Sequence, residues 1–164
     1  MERKKDSLGV FHHNLGTRLE VKEEKYKVDY SREFYLFDVI PTPAPRMTQS
    51  DKWRTNPNHI DPDKRQRKAV TQYWQFKNEL ISQSFKMNFN LKDTLDIVFF
   101  VPLPDSMSEK KKESLNGMPC KKRPDLDNYI KGLADCTLNE DGNIWDVKAK
   151  KIYAYRGSIL IYKT

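Results

Sequence analysis

The stretch RPDLDNYIKGLADCTL at residues 123–138, followed by NEDGN at residues 139–143, reads as an extended lead-in, a helix and a turn. Pro124 disfavours helical geometry at Arg123, and Asp127 is a good N-cap for a helix from Asn128 to about Leu138. In that helix Ile130, Leu133, Ala134 and Thr137 fall at i, i+3, i+4 and i+7, which makes them the expected buried face. Asp127, Lys131 and Asp135 follow at steps of four on a different face. If Asp125 lies in extended chain, it points to the same side as Asp127, because extended chain repeats every two residues. Two carboxylates and an ammonium are then expected to converge.

Downstream, residues 144–155 and 158–163 read as strands joined around Arg156 and Gly157 as a hairpin. Tyr153, Tyr155, Ile159, Ile161 and Tyr162 make it apolar on both faces, a pattern compatible with an interface. A strand returning beside the helix start could bring Glu140 or Asp141 to the aspartate pair. Upstream, EFYLFDVI at residues 33–40 is a strand stopped by PTPAP, whose prolines deny ladder hydrogen bonds. The loop that follows carries Arg46, Lys52, Trp53 and Arg54. From Lys64 to Phe85, Val70, Tyr73, Trp74, Leu80, Ile81 and Phe85 recur at helical spacing, with Lys77 at the missing step. Residues 94–101 (TLDIVFFV) form a strand with Leu95, Ile97, Phe99 and Val101 on one face. A short basic helix at residues 108–115 is closed by Asn116 and Gly117. Residues 1–30 are charged and poor in periodic apolar positions, so they are expected to be an N-terminal arm preceding a domain at residues 31–164. The layout predicts an α/β fold of the α+β type, with a mixed sheet of about four or five strands on two main helices.

A chain of 164 residues with 37% hydrophobic and 12% aromatic content can build one core. It contains no apolar run of the ~18 residues a membrane helix needs, and MERKKDSLGV does not lead into a signal core. A soluble, intracellular protein is expected. Cys120 and Cys136 show neither metal spacing nor a disulfide framework. The net charge of +7 and pI near 9.3 favour a polyanionic partner. Two basic clusters carry the excess, one from Arg46 to Lys68 and one from Lys110 to Arg123, and the second runs directly into the acidic motif.

Hydrolysis of a phosphodiester requires charge stabilisation at phosphorus and on the leaving oxygen, which Mg²⁺ held by a few carboxylates supplies. A neighbouring lysine can contact the scissile phosphate or assist proton transfer. His12, His13 and His59 lie in expected loops and make no zinc set. The chain has no glycine-rich nucleotide loop. From the residues alone two readings stand: a helix cap with a surface Asp–Lys pair, or a metal site.

The run RPDLDNYIKGLADCTL, the acidic turn after it and the two strands beyond resemble the signature of the RusA family of Holliday-junction resolvases, small dimeric nucleases of phages and prophages. The likeness covers most of the chain after Glu33, and its specific part is the D-x-D-N-x-x-K core. It implies that Asp125 and Asp127 are metal ligands and that Lys131 is the catalytic lysine. Asp135 matches a recurrent helix acid that supports Lys131. For the third carboxylate, EDGNIW matches the family's acidic pair and assigns Asp141, with Glu140 its neighbour and Asp146 the competing choice. The resemblance further implies a homodimer that nicks opposed strands of a four-way junction symmetrically with Mg²⁺ or Mn²⁺, in recombination and repair. Arg46, Lys52, Arg54 and Arg67, with Lys121, Lys122 and Arg123, would hold phosphates, and Trp53 and Phe11 would stack on exposed bases. Two alternatives accompany it: a nuclease of other branched DNA, and a non-catalytic binder of branched DNA with a degraded metal site.

Overall fold

Aromatic and β-branched runs form four strands, and two amphipathic helices cover one face of the sheet they make. The computed structural model describes residues 25–137 and 144–164. The expectations placed on Phe11, His12 and His13 and on the turn carrying Glu140 and Asp141 lie outside these residues. In chain order the elements are β1 (Phe34–Phe37), α1 (Lys68–Lys86), β2 (Thr94–Pro102), α2 (Glu109–Leu115), α3 (Leu126–Thr137), β3 (Asp146–Ala154) and β4 (Ser158–Tyr162). The sheet order is β1-β4-β2-β3, mixed, with β3 parallel to β2 and β4 antiparallel to both β1 and β2. This is the expected α+β class.

The expected hairpin does not form. β3 and β4 run in opposite directions, but β2 lies between them. The physical reason is the composition of the two strands. Ile159, Leu160, Ile161 and Tyr162 are all buried, so β4 needs cover on both faces and a neighbour on both edges. β3 carries Lys148, Lys150 and Lys151 and suits the outer position. The two-faced apolarity of β4 is therefore satisfied within the chain. Gly157 permits the crossing, since a Cβ there would sit 3.0 Å from the Ile40 Cα.

The main core lies between the sheet and the helices: Leu95, Ile97 and Phe99 of β2 and Ile159 and Ile161 of β4 meet Tyr73, Phe76 and Leu80 of α1 and Tyr129, Leu133 and Cys136 of α3. Each fully buried aliphatic or aromatic side chain here contributes about 1.5–3 kcal/mol. Both helices are rotated from their expected faces. In α1 the buried set is Val70, Tyr73, Phe76 and Leu80, while Trp74, Ile81 and Phe85 are exposed. Apolar residues on two sides of this helix made its period ambiguous, and the sheet selected the side centred on Phe76. In α3 Leu133 and Ala134 are buried as expected, but Tyr129, Gly132 and Cys136 complete the buried face, while Ile130 and Thr137 are half-buried at its margin.

The second face of the sheet is covered as well. The expected arm is described only from Lys25, and this end of it packs Tyr26 and Val28 against Val98, Phe100, Leu160 and Tyr162. The Tyr26 and Tyr162 hydroxyls are 3.0 Å apart, and Arg32 bonds Asp96 at 2.7 Å while stacking on the Tyr162 ring.

Candidate active site

The motif sits where three elements meet: an edge strand, a helix start and a proline-rich loop. Gly117, at a φ of +85° that favours glycine, turns the chain out of α2 and onto the outer edge of β3. There the Gly117 N–H donates to the Tyr153 carbonyl (2.8 Å), the Tyr153 N–H to the Met118 carbonyl (2.9 Å) and the Cys120 N–H to the Lys151 carbonyl (2.8 Å). The motif's lead-in is thus fixed to β3. The Arg123–Pro124 peptide is cis, and Asp125 then stands directly before α3.

This corrects the expected helix start. Leu126 packs on the main core and draws the helix two residues earlier, so Asp125 holds the position before the helix and Asp127 lies in its first turn. Extended-chain alternation does not relate the two carboxylates. Both instead lie at the positive end of the α3 dipole, which favours anions. Both are exposed. Among the described residues neither forms an ion pair, so the surface pair of Asp127 with Lys131 that the alternative reading calls for is not made. Asp125 lines an open cleft of about 540 Å³ with Tyr26, Cys120, Ala149, Lys150 and Lys151.

Lys131 and Asp135, further along α3, line a different hollow with Asn128 and the loop residues Ala44, Pro45, Arg46 and Met47. The loop reaches the helix because of Gly132: a Cβ at that position would lie 2.7 Å from the Thr42 carbonyl oxygen and 3.0 Å from the Ala44 nitrogen. The Ala44 N–H donates to the Asn128 carbonyl at 3.0 Å. The signal for this contact was in the sequence, since glycine inside a helix costs about 1 kcal/mol relative to alanine and calls for a packing reason.

Beyond Arg46 the loop is anchored by a buried carboxylate that sequence reasoning missed. Asp51 accepts from Arg67 Nε at 2.8 Å and Nη2 at 2.5 Å, and from the Thr48 N–H at 2.6 Å and hydroxyl at 2.8 Å. Its side chain is 4% exposed. The Arg67 guanidinium, with the Thr48 N–H, holds the Asp51 carboxyl well below the usual carboxylate range. Arg67 also donates to the Arg46 carbonyl at 2.7 Å. It therefore ties both ends of residues 46–51 to the start of α1. Outside this anchor, Lys52 and Trp53 are exposed, Trp53 by 85%. A hollow beside them is lined by Ser50, Trp53, Arg54, His59 and Lys64. Lys121, Lys122 and Arg123 are exposed along the lead-in.

Asp146, the competing third carboxylate, opens β3 and is exposed. It lies three residues, about 10 Å of strand, before Ala149, the first β3 residue lining the Asp125 cleft. Among the described residues no three His, Cys, Asp or Glu side chains gather into a metal-binding group. Asp125 and Asp127 nevertheless fit a hard divalent ion: both are carboxylates, both are exposed, and such an ion keeps several waters.

No helix among the described residues is long and apolar enough to cross a membrane. Comparison with curated proteins returns no match. The family model of the endodeoxyribonuclease RusA matches residues 37–162, from the last residue of β1 to the last of β4, and so spans both the motif and the basic loop. This chain belongs to the RusA family of endodeoxyribonucleases, nucleases that act on branched DNA.

Proposed function

We propose that the chain resolves four-way DNA junctions by paired, symmetric nicking in recombination and repair, with Mg²⁺ held by Asp125, Asp127 and Asp141. The observation that supports this reading is the placement of two exposed carboxylates, without an ion pair among the described residues, at the start of α3, on the helix that a basic loop approaches through Gly132. Mg²⁺, or Mn²⁺ in its place, supplies charge stabilisation at the phosphorus and lowers the pKa of the attacking water. Asp125 and Asp127 offer oxygen ligands from a rigid helix start, where the dipole favours their charge. Asp141 is retained from the family motif as the third ligand.

Lys131, one turn beyond Asp127, brings an ammonium to the hollow it shares with Arg46 and steadies phosphate charge there. Arg46, Lys52, Arg54, Lys121, Lys122 and Arg123 track the backbone, and Arg67 contributes by holding the loop that carries Arg46. Trp53 offers an open ring for stacking on a base near the branch point. Two nicks need two sites, which a twofold dimer of this chain supplies.

The test is cleavage of a synthetic four-way junction beside a panel of flaps and forks. Wild type is expected to nick opposed strands of the junction in Mg²⁺, and Asp127→Asn to bind the junction without cutting it. Preferred cutting of flaps or forks would move the substrate to other branched DNA. No cleavage of any branched DNA with any divalent ion would leave a binding protein.

A further inference from the structure

We infer that Lys151 is a positioning residue for the metal-binding carboxylates, acting by fixing the turn that delivers Asp125. Its ammonium donates to the Lys122 carbonyl at 2.6 Å and to the Pro124 carbonyl. It also lies 5.6 Å from the centre of the Tyr129 ring, which is buried in α3. Its backbone carbonyl meanwhile accepts the Cys120 N–H at 2.8 Å. One residue of β3 therefore grips the lead-in at three places within five residues, the last of them directly before Asp125. β3 itself is held by its pairing with β2, where Lys151 stands opposite Phe99, so the grip transmits the rigidity of the sheet.

A lysine suits this task because an ammonium has three donors and no acceptor, and it can bond two convergent carbonyls from a single point. A carbonyl pair left without that donor would reorient toward water. The turn would then be free to carry Asp125 away from Asp127. Lys151 touches neither substrate nor ion in this role. It also lines the cleft that holds Asp125, and this makes the inference separable from simple electrostatics. A positive charge beside a cation site opposes cation binding, so on charge alone removing Lys151 would tighten the metal. On positioning, removing it weakens the metal, as loss of an outer-shell partner typically does by about 10–100-fold.

The inference rests on the reading that Asp125 and Asp127 hold the ion, and the experiment separates the two. Mn²⁺ is titrated calorimetrically into the full chain as wild type, Lys151→Met, Lys151→Arg and Asp127→Asn, with metal-free junction affinity followed by fluorescence anisotropy. Lys151→Met is expected to weaken Mn²⁺ by about tenfold or more, with a much smaller change in metal-free junction affinity. Lys151→Arg, which can still donate to both carbonyls, is expected to recover most of the loss. Mn²⁺ affinity that is unchanged or tighter in Lys151→Met, while Asp127→Asn loses Mn²⁺, overturns the inference and leaves the metal site standing. Mn²⁺ affinity that is unchanged in Asp127→Asn overturns the carboxylate reading and the inference with it. If Lys151→Met does not fold, Lys151→Gln takes its place: its amide can reach one carbonyl, so weaker Mn²⁺ binding supports the inference and unchanged or tighter binding overturns it.

Discussion

Asp51, in the short 3-10 turn Gln49–Lys52, and Asp127, in the first turn of α3, both stand near the start of a helical segment, and the fold gives them opposite fates. Asp51 is buried against Arg67 and Thr48 and holds a loop in place. Asp127 is exposed at the start of a longer helix with no ion pair among the described residues. The difference lies in the neighbours rather than in the residue. A carboxylate whose lone pairs are filled by a guanidinium fork is structural, whereas one left open at a helix start, two residues along the chain from a second exposed carboxylate, is available to a cation.

The sharpest way to break this comparison is to neutralise each acid. Asp127→Asn is expected to lower junction cleavage by at least about 10²–10³-fold, the scale of losing one charge-stabilising group in an active site, with junction affinity and Tm near wild type. Asp51→Asn is expected to do the reverse, lowering Tm and weakening junction binding while the enzyme still cuts at saturating DNA. Gly132→Ala comes next. Its new Cβ would press on the Thr42 carbonyl, an overpacking that typically costs about 1–3 kcal/mol, visible as a lower Tm and looser junction binding.

A smaller effect separates Arg67 from Arg46. Arg46→Ala removes one phosphate contact, so the slope of log affinity against log salt should fall in magnitude by about 0.9 with Tm unchanged. Arg67→Ala should reduce affinity and lower Tm together, because it frees the loop. The smallest effect is one of pH. Asp51 has a depressed folded pKa, so it binds fewer protons folded than unfolded. Its contribution to stability is fully present above the unfolded value of about 3.9 and is lost as pH falls toward the folded value. The Tm gap between wild type and Asp51→Asn should therefore narrow below about pH 4, and thermal melts across pH 2.5–7 would record it.

The motif was legible because its signals are local: Asp125, Asp127, Lys131 and Asp135 lie within eleven residues of one another, and β2 and the end of α2 announced themselves by period and by glycine. The start of α3 was misplaced because Asp125 and Asp127 are equally good caps, and only the packing of Leu126 decides between them. Strand neighbours were not legible. β3 and β4 are adjacent in sequence, yet long-range pairing inserts β2 between them, and alternation within a strand carries no record of its partner. The Asp51–Arg67 anchor joins residues 16 positions apart across a loop, beyond any helical or strand period.

The central claim is that the start of α3 is a metal site. A crystal of the protein soaked in Mn²⁺, examined by anomalous diffraction, tests it most directly. The account predicts an ion bound by the carboxylates of Asp125 and Asp127, with Asp141 as the third ligand and waters completing the shell. An ion bound elsewhere, with Asp127 facing solvent, would contradict it.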